Sequence, residues 1–272
     1  MGVQQETSFT TIDRLQLAAT VTMPDQGEGR VVVLVHGGGV TRHEGGFFTR
    51  LADGLAACGV ASLRFDLRGH GQSQGRVEDL TLAAVLNDIH TAIATARTMT
   101  GARSVSLLGT SFGGGICAYY AAHRPTSIDR LVLFNPQLDY KRRTITNSAF
   151  WHDDVLDAAA ASDLDRDGYL QFTPTIRHGR AIFHEVFWFD VLGALPRITA
   201  PTLLVHGTRD TLVPIEGTEA AVPLLTCEHR FVRVEGCQHG FAAHDDPTYA
   251  DPRSKAWQAQ VITTTTDWIT RS

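Results

Sequence analysis

A serine flanked by glycines stands where an apolar run gives way to a helical pattern. Residues 104–115 read SVSLLGTSFGGG, so Gly109, Ser111 and Gly113 form a G-x-S-x-G pentapeptide between a predicted strand and a predicted helix. Glycine at 109 and 113 removes the collision that side chains would make in so sharp a turn. The Ser111 hydroxyl then stands clear at a helix N-terminus, where the helix dipole favours developing negative charge. This setting predicts a nucleophile rather than an ordinary strand-to-helix turn.

An acid and a base follow Ser111 along the chain. Asp210 lies in the turn that follows the apolar run of TLLVHGTRD, and His239 lies in the loop after the run FVRV. All three residues follow the carboxyl ends of predicted strands, so their side chains can converge at one edge of a parallel sheet. The order Ser, Asp, His is typical of one arrangement of catalytic triad. We expect His239 to act as general base and Asp210 to orient it.

Other histidines and acids are available for these two roles. His229 and His244 are rivals to His239 as the base, and Asp245 and Asp246 are rivals to Asp210 as the acid. His229 precedes the predicted strand at 231–234, and His244 lies a few residues past His239. Asp210 and His239 are the favoured pair.

A glycine-rich loop follows the continuous β-branched run at residues 31–35. It reads His36-Gly37-Gly38-Gly39, and glycines let a backbone approach a ligand closely. We expect the amides of Phe112 and Gly38 to form the oxyanion hole, with the Gly39 amide as the alternative to Gly38. His36 is interpreted as structural. A flexible glycine turn without a ligand is the competing interpretation of this loop.

The elements that must hold these residues alternate in type along the chain. Strand-length apolar runs are separated by helical patterns, which predicts an α/β fold with a parallel sheet and helices on both faces. The predicted strands are residues 15–23, 31–35, 60–65, 104–108, 131–134, 202–205 and 231–234. The predicted helices are residues 47–58, 81–99, 112–123, 214–225 and 254–270.

One stretch breaks this alternation. Residues 136–195 are far longer than a crossover requires and are rich in aromatic residues. We therefore predict a core domain made of residues 1–135 and 196–272, with residues 136–195 inserted as a cap. Gly39 and the cap residues Trp151, Phe187 and Trp188 are the candidate substrate contacts, although aromatic residues at helical spacing are more often packing.

Two other signals in the inserted stretch receive a structural interpretation. Residues 163–168, DLDRDG, resemble the start of a calcium loop, but the residue that should be the bidentate glutamate is Pro174. A turn at Asp167-Gly168 followed by a short strand is the simpler interpretation. The basic cluster Lys141-Arg142-Arg143 is interpreted as a solvated face, with recognition of an anionic substrate group as the alternative.

Composition excludes several classes of protein. The chain has 272 residues, 43% hydrophobic and 19% charged, with a formal net charge of −5. These values suit a single globular domain and give no reason to expect nucleic acid or an anionic membrane as partner. Its four cysteines form no C-x-x-C pair, and the N-terminus has no signal pattern. A cytoplasmic protein without metal or cofactor is expected; a homodimer is compatible with the sequence.

Five segments spread along the chain are HGGGVTRHEGGFF, RFDLRGHGQS, GTSFG, HGTRD and CQHGF. Together they resemble the α/β-hydrolase superfamily over nearly the whole chain. The chain is most similar to cap-bearing acyl hydrolases such as the feruloyl esterase-like enzymes and their peptidase-like relatives. The resemblance implies an α/β-hydrolase fold with an eight-stranded, mostly parallel sheet and a cap after the sixth strand. It also implies a triad of Ser111, Asp210 and His239, with oxyanion donors at Gly38 and Phe112.

The first functional hypothesis is a carboxylesterase-like serine hydrolase. It would cleave a small-molecule ester or thioester through an acyl-Ser111 intermediate, without a cofactor. An acyltransferase, thioesterase or tailoring enzyme of a biosynthetic pathway would share every motif. A non-catalytic ligand-binding protein on the same fold is the hypothesis from another class.

Overall fold

The computed structural model describes residues 2–27, 29–243, 246 and 248–271. The first half builds most of one sheet. Its strands are β1 (Val3–Thr10), β2 (Gln16–Met23), β3 (Arg30–Val35), β4 (Ala61–Phe65), β5 (Ser104–Thr110) and β6 (Arg130–Phe134). Its helices are α1 (Phe47–Ala57), α2 (Leu82–Thr100) and α3 (Ser111–His123). A helix follows each of the strands β3, β4 and β5.

The inserted segment, residues 136–195, has small elements of its own. It contains a π-helical turn (Arg142–Thr146), β7 (Trp151–His152), β8 (Val155–Leu156), α4 (Ala158–Asp167), β9 (Tyr169–Thr173), β10 (Ile176–Gly179), α5 (Arg180–Glu185) and α6 (Val191–Ala194). The strands β7 and β8 form one antiparallel pair, and β9 and β10 form another. The residues DLDRDG lie at the end of α4 rather than in a loop. Asp157 caps the start of that helix, and Gly168 ends it with a left-handed φ of 81°.

The chain then returns to the main sheet. The last elements are β11 (Thr202–Gly207), α7 (Ile215–Ala221), β12 (His229–Val234) and α8 (Pro252–Thr270). The sheet has eight strands in the order β1-β2-β4-β3-β5-β6-β11-β12. Among the strands of the described residues, the β1–β2 and β2–β4 pairs are antiparallel and the other pairs of this sheet are parallel. The predicted eight-stranded, mostly parallel sheet is therefore confirmed.

The sheet separates two hydrophobic cores. Successive side chains of a strand point to opposite faces, and β3 shows the consequence clearly. Val31, Val33 and Val35 pack in the core that α2 and α3 cover. Val32 and Leu34 pack in the core that α1 and α8 cover. A strand buried on both faces explains the continuous β-branched run of its sequence.

Parallel pairing also brings the ends of the central strands to one edge. β3 pairs with β5, β5 with β6, β6 with β11, and β11 with β12. The glycine loop, Ser111, Asp210 and His239 follow the carboxyl ends of β3, β5, β11 and β12.

Candidate active site

Ser111 occupies a strained turn between β5 and α3. Its φ is +50°, a left-handed value that non-glycine residues rarely adopt. A Cβ on Gly109 would lie 2.6 Å from the Gly113 carbonyl oxygen, and a Cβ on Gly113 would lie 2.6 Å from the His36 carbonyl oxygen. Both contacts are with backbone, so neither position accommodates a side chain. The turn has the steric requirement that the pentapeptide predicts.

The structure brings Asp210 and His239 together. Asp210 is buried, and its Oδ2 lies 2.6 Å from Nδ1 of His239. Its Oδ1 accepts hydrogen bonds of 2.9 Å from the backbone amides of Leu212 and Val213. These bonds fix the carboxylate, and the carboxylate fixes the imidazole with its proton on Nδ1. Nε2 of His239 is thereby left without a proton and suited to accept one.

A second histidine, which sequence analysis missed, supports Asp210. His206 is fully buried in β11, and its Nε2 lies 2.9 Å from the Val213 carbonyl oxygen and 3.4 Å from Asp210 Oδ2. Its Nδ1 lies 2.9 Å from the Thr218 hydroxyl. Since the Val213 carbonyl only accepts, His206 carries its proton on Nε2 and presents it to Asp210 as well.

The environment of Asp210 keeps the carboxylate ionised. Burial by itself raises the pKa of a carboxyl group. The hydrogen bonds from His206, His239 and the Val213 amide nevertheless hold the pKa of Asp210 well below its ordinary value. A permanently charged partner stabilises the imidazolium that would form when His239 takes a proton.

The glycine loop lies against Ser111. A Cβ on Gly37 would lie 3.3 Å from the Cβ of Ser111, and one on Gly38 would lie 3.5 Å from the Cβ of Phe112. The Gly39 amide approaches His70 Nε2 at 3.4 Å. Within the described part of the chain the Gly38 amide donates no hydrogen bond. The Phe112 amide lies in the first turn of α3, where amides have no acceptor within the helix.

His36 holds this loop from inside the core. Its Nδ1 lies 2.7 Å from the Gly37 carbonyl oxygen, and its Nε2 accepts the Leu67 amide at 2.9 Å. Complete burial is the main cause that lowers the pKa of His36 to about 3, so its ring stays neutral. These contacts support the structural interpretation of His36.

Glu44 holds the loop from outside, which sequence analysis did not foresee. Its Oε1 accepts the Gly37 amide at 2.5 Å. Burial raises the pKa of Glu44 to about 7, although the Gly37 amide opposes that shift. The Glu44 carboxyl group therefore lies close to the nucleophile turn and is a weaker acid than an ordinary glutamate.

A cavity of about 260 Å³ opens above Ser111. Ser111, Phe112, Gly38 and Gly39 line its floor, and Leu212 and Val213 line the side next to Asp210. The inserted segment supplies most of the other walls, through Gln137, Arg143, Thr144, Asn147, Ser148, Phe172, Thr173, Ile176, Arg177 and His178. The placement of Gly39 agrees with its expected contact with substrate.

The three aromatic residues expected to contact substrate lie elsewhere. None of Trp151, Phe187 and Trp188 lines this cavity among the described residues. The Trp151 ring packs against Phe183 and Phe187, and Trp188 is 85% exposed. The structure therefore places these three residues away from the cavity above Ser111, and Trp151 packs instead against other aromatic residues of the inserted segment. Phe172 is the cap aromatic that the cavity does contain.

The rival acids and bases have other partners or lie outside the described residues. His229 is exposed at the start of β12, with Nδ1 2.9 Å from the Cys227 carbonyl oxygen. The Asp246 carboxylate accepts the amides of Ala250 and Asp251. His244 and Asp245 lie outside the described residues.

The described residues contain neither a cluster of metal ligands nor a membrane-spanning helix. Among residues 2–27, 29–243, 246 and 248–271, no group of three or more His, Cys, Asp and Glu side chains could hold a metal ion. In the same ranges no helix is both long and apolar enough to cross a bilayer.

The fold and the turn at Ser111 define the protein as an α/β hydrolase. Residues 28–246 match the family model described as serine aminopeptidase, S33, and the chain belongs to that family. It is 27% identical to a monoacylglycerol lipase of Mycolicibacterium smegmatis, over 98% of both chains. It is 30% identical to Lipase LipV of Mycobacterium tuberculosis, over 65% of this chain and 74% of that one.

A solved structure has the same fold over nearly its whole length. The ferulic acid complex of Est1E from Butyrivibrio proteoclasticus superimposes with a TM-score of 0.78. The match covers 97% of this chain and 100% of Est1E, at 21% sequence identity. At that identity the likeness establishes the fold alone.

Proposed function

We propose that the protein is a serine esterase that cleaves a small carboxylic ester or thioester through an acyl-Ser111 intermediate. The observation that carries this proposal is the left-handed turn at Ser111, which lines a cavity together with Leu212 and Val213, the residues whose amides bind Asp210. Such strain persists where the surrounding structure fixes it, and it clusters at reactive groups.

In the proposed mechanism His239 removes the proton of Ser111 as the hydroxyl attacks the ester carbonyl. Asp210 keeps the ring in the required tautomer and stabilises its positive charge. The imidazolium then protonates the leaving alcohol or thiol, and the acyl group stays on Ser111. Water, activated by the same imidazole, releases the acid and restores the serine.

The amides of Phe112 and Gly38 are the proposed oxyanion donors. Two donors aimed at the developing negative charge contribute about 3–4 kcal/mol each to transition-state stabilisation. The absence of a hydrogen bond from the Gly38 amide among the described residues supports this choice over Gly39, whose amide faces His70.

The inserted segment is proposed to act as the cap of the active site. Support comes from its contribution to the cavity walls, which places Phe172, Ile176 and His178 around Ser111. The α6 helix at its end packs on α3 and anchors it to the core. The monoacylglycerol lipase among the relatives supports an ester as the substrate.

Substitution of the nucleophile tests the proposal. Ser111→Ala should lower kcat on p-nitrophenyl butyrate by at least about 10³-fold and abolish labelling by a fluorophosphonate. Both assays measure the same hydroxyl, one by turnover and one by covalent capture identified by peptide mass spectrometry.

Ser104→Ala is the matched control. Ser104 lies at the opposite end of β5, where its hydroxyl donates to Asp129, so that variant should keep both activity and label. Full turnover by Ser111→Ala, or a label found on another residue of the folded protein, would refute the assignment.

A further inference from the structure

The basic cluster Lys141-Arg142-Arg143 has no part in the proposed mechanism, and its members have different surroundings. Lys141 pairs with Asp154 at 2.6 Å and lies over the Phe187 ring. Arg142 lines a second cavity of about 540 Å³ beside the catalytic one. Arg143 lines both cavities.

Arg143 lies where the two cavities meet. They share five lining residues, which are Gln137, Arg143, Asn147, Leu212 and Val213. One N–H of the Arg143 guanidinium donates to the Leu212 carbonyl oxygen at 3.2 Å, which ties the π-helical turn to the loop that holds Asp210. A guanidinium has five N–H donors, so most of them stay available to a bound group.

The charged residues that line the catalytic cavity are of a single sign. Among the described lining residues of the catalytic cavity there is no aspartate or glutamate, whereas Arg143 and Arg177 are both present. The nearby Asp210 carboxylate is already occupied by His206, His239 and two backbone amides. The second cavity, in contrast, carries Asp139 and Glu216 as well as Arg142.

The two arginines of the catalytic cavity differ in how they are held. Arg177 donates to Gln171, lies over the Tyr169 ring and is close enough to Glu78 to lower its pKa. Arg143 is paired with no carboxylate within the described residues. Its charge, after the larger effect of burial, lowers the pKa of the cavity residue His178 to about 4. Arg143 is therefore an exposed cationic side chain that lines the cavity above Ser111 and has no carboxylate partner among the described residues.

We propose that Arg143 is a specificity residue that binds a carboxylate on the substrate, so that the preferred substrates are esters bearing a free acid. This inference rests on the proposed esterase function and narrows its substrate class. A planar guanidinium matches a carboxylate in a bidentate geometry, and hydrogen bonds between charged groups are worth more than neutral ones.

Pairs of esters matched in size test the inference. Mono-p-nitrophenyl glutarate and p-nitrophenyl valerate both carry five-carbon acyl groups and differ in the terminal carboxylate. 4-(Butyryloxy)benzoate and 4-methylphenyl butyrate place the same difference, a carboxylate against a methyl group, on the alcohol side. We expect wild-type enzyme to prefer the anionic member of at least one pair by about 10-fold or more in kcat/KM. The pair that shows it identifies the side of the ester that Arg143 contacts.

Substitutions at Arg143 test whether this residue causes the preference for the anionic ester. Arg143→Gln should lower kcat/KM for the preferred anionic ester by about 10- to 100-fold, chiefly through KM, and change the neutral ester less than about threefold. Arg143→Lys should restore part of the loss. Arg180→Gln removes the same charge from a residue of the inserted segment that pairs with Asp165 and lines neither cavity among the described residues, so it should keep the preference.

A measurement on wild-type enzyme keeps the inference testable even if a variant does not fold. Glutarate should inhibit hydrolysis of the neutral valerate ester competitively, and glutaramide should not. Equal wild-type kcat/KM values within both pairs, or an equal loss on both members in Arg143→Gln, would overturn anion recognition. Fluorophosphonate labelling of Ser111 would persist in that case, so failure of this inference is distinguishable from failure of the esterase proposal.

Discussion

The charge of Glu44, which supports the glycine loop, changes with pH. Its carboxyl group accepts the Gly37 amide, and an added Cβ at Gly37 would nearly touch Ser111. The Tyr249 ring packs over Gly45, and the Glu44 charge adds to the burial that raises the pKa of Tyr249 to about 12. Proton uptake by Glu44 therefore changes the charge on the support of the proposed oxyanion loop.

The raised pKa of Glu44 predicts how stability depends on pH. Its ordinary value is 4.5 and burial raises it to about 7, so the folded state binds more protons than the unfolded state between those values. Stability contributed by this group therefore falls as pH rises from about 4.5 through about 7. Glu44→Gln, which cannot ionise, should match wild type at pH 4.5 and exceed its unfolding free energy by about 1–3 kcal/mol at pH 8.

Urea unfolding of both proteins at the two pH values measures this difference. Glu228→Gln removes a carboxylate from an exposed position and serves as the control for surface charge. A stability gap between Glu44→Gln and wild type that stays constant with pH would contradict the prediction.

At the scale of elements, the turn from β5 into α3 combines two crowded glycines with a strained serine. Gly109 and Gly113 leave room for backbone that passes within van der Waals distance, while Ser111 itself bears the left-handed backbone strain. The glycine loop after β3 lies on the same side, because Gly113 faces the His36 carbonyl oxygen. A change at Gly113 therefore acts on the nucleophile and on the proposed oxyanion loop together.

Gly113→Ala should impair both stability and activity. The new methyl group would lie 2.6 Å from the His36 carbonyl oxygen and 2.9 Å from a methyl group of Val35, so backbone must move. Overpacking of this kind costs about 1–3 kcal/mol, and displacement of Ser111 should lower kcat by about 10²-fold. Thermal unfolding and p-nitrophenyl butyrate turnover measure the two effects.

A glycine-to-alanine substitution in an uncrowded loop, Gly27→Ala, is the control for Gly113→Ala. A Cβ on Gly27 would have Pro24 as its nearest neighbour, at an ordinary 3.6 Å, so Gly27→Ala should change stability by less than about 0.5 kcal/mol. If Gly113→Ala turned over substrate at the wild-type rate, close packing at this turn would not be what positions Ser111.

The sequence predicts the buried elements well, and physical reasons explain what it misses. The run VVVLV predicts β3 because a strand buried on both faces needs apolar residues throughout. The β1 strand, VQQETSFT, is mostly exposed at the edge of the sheet and leaves no such pattern. The roles of Glu44 and His206 depend on burial and on neighbours that only the fold brings close. The aromatic residues of the inserted segment pack on one another, which composition cannot distinguish from lining a cavity.

At the scale of the whole molecule, one sheet joins two cores that share no helix. The core under α1 and α8 contains Trp268, which is 1% exposed, and the core under α2 and α3 contains Ile89, which is fully buried. Each central strand contributes side chains to both cores. The loss of either core therefore removes packing from each of the four strands β3, β5, β6 and β11, which contribute to both.

Trp268→Ala and Ile89→Ala should each destabilise the entire molecule rather than one face. We expect losses of about 3–5 kcal/mol for the tryptophan and about 2–5 kcal/mol for the isoleucine, because both leave cavities in a well-packed interior. In urea, far-UV circular dichroism and tryptophan fluorescence should report the same midpoint for each variant, lower than that of wild type. Separate transitions for the two probes in either variant would show that the cores unfold independently, with the sheet failing to couple them.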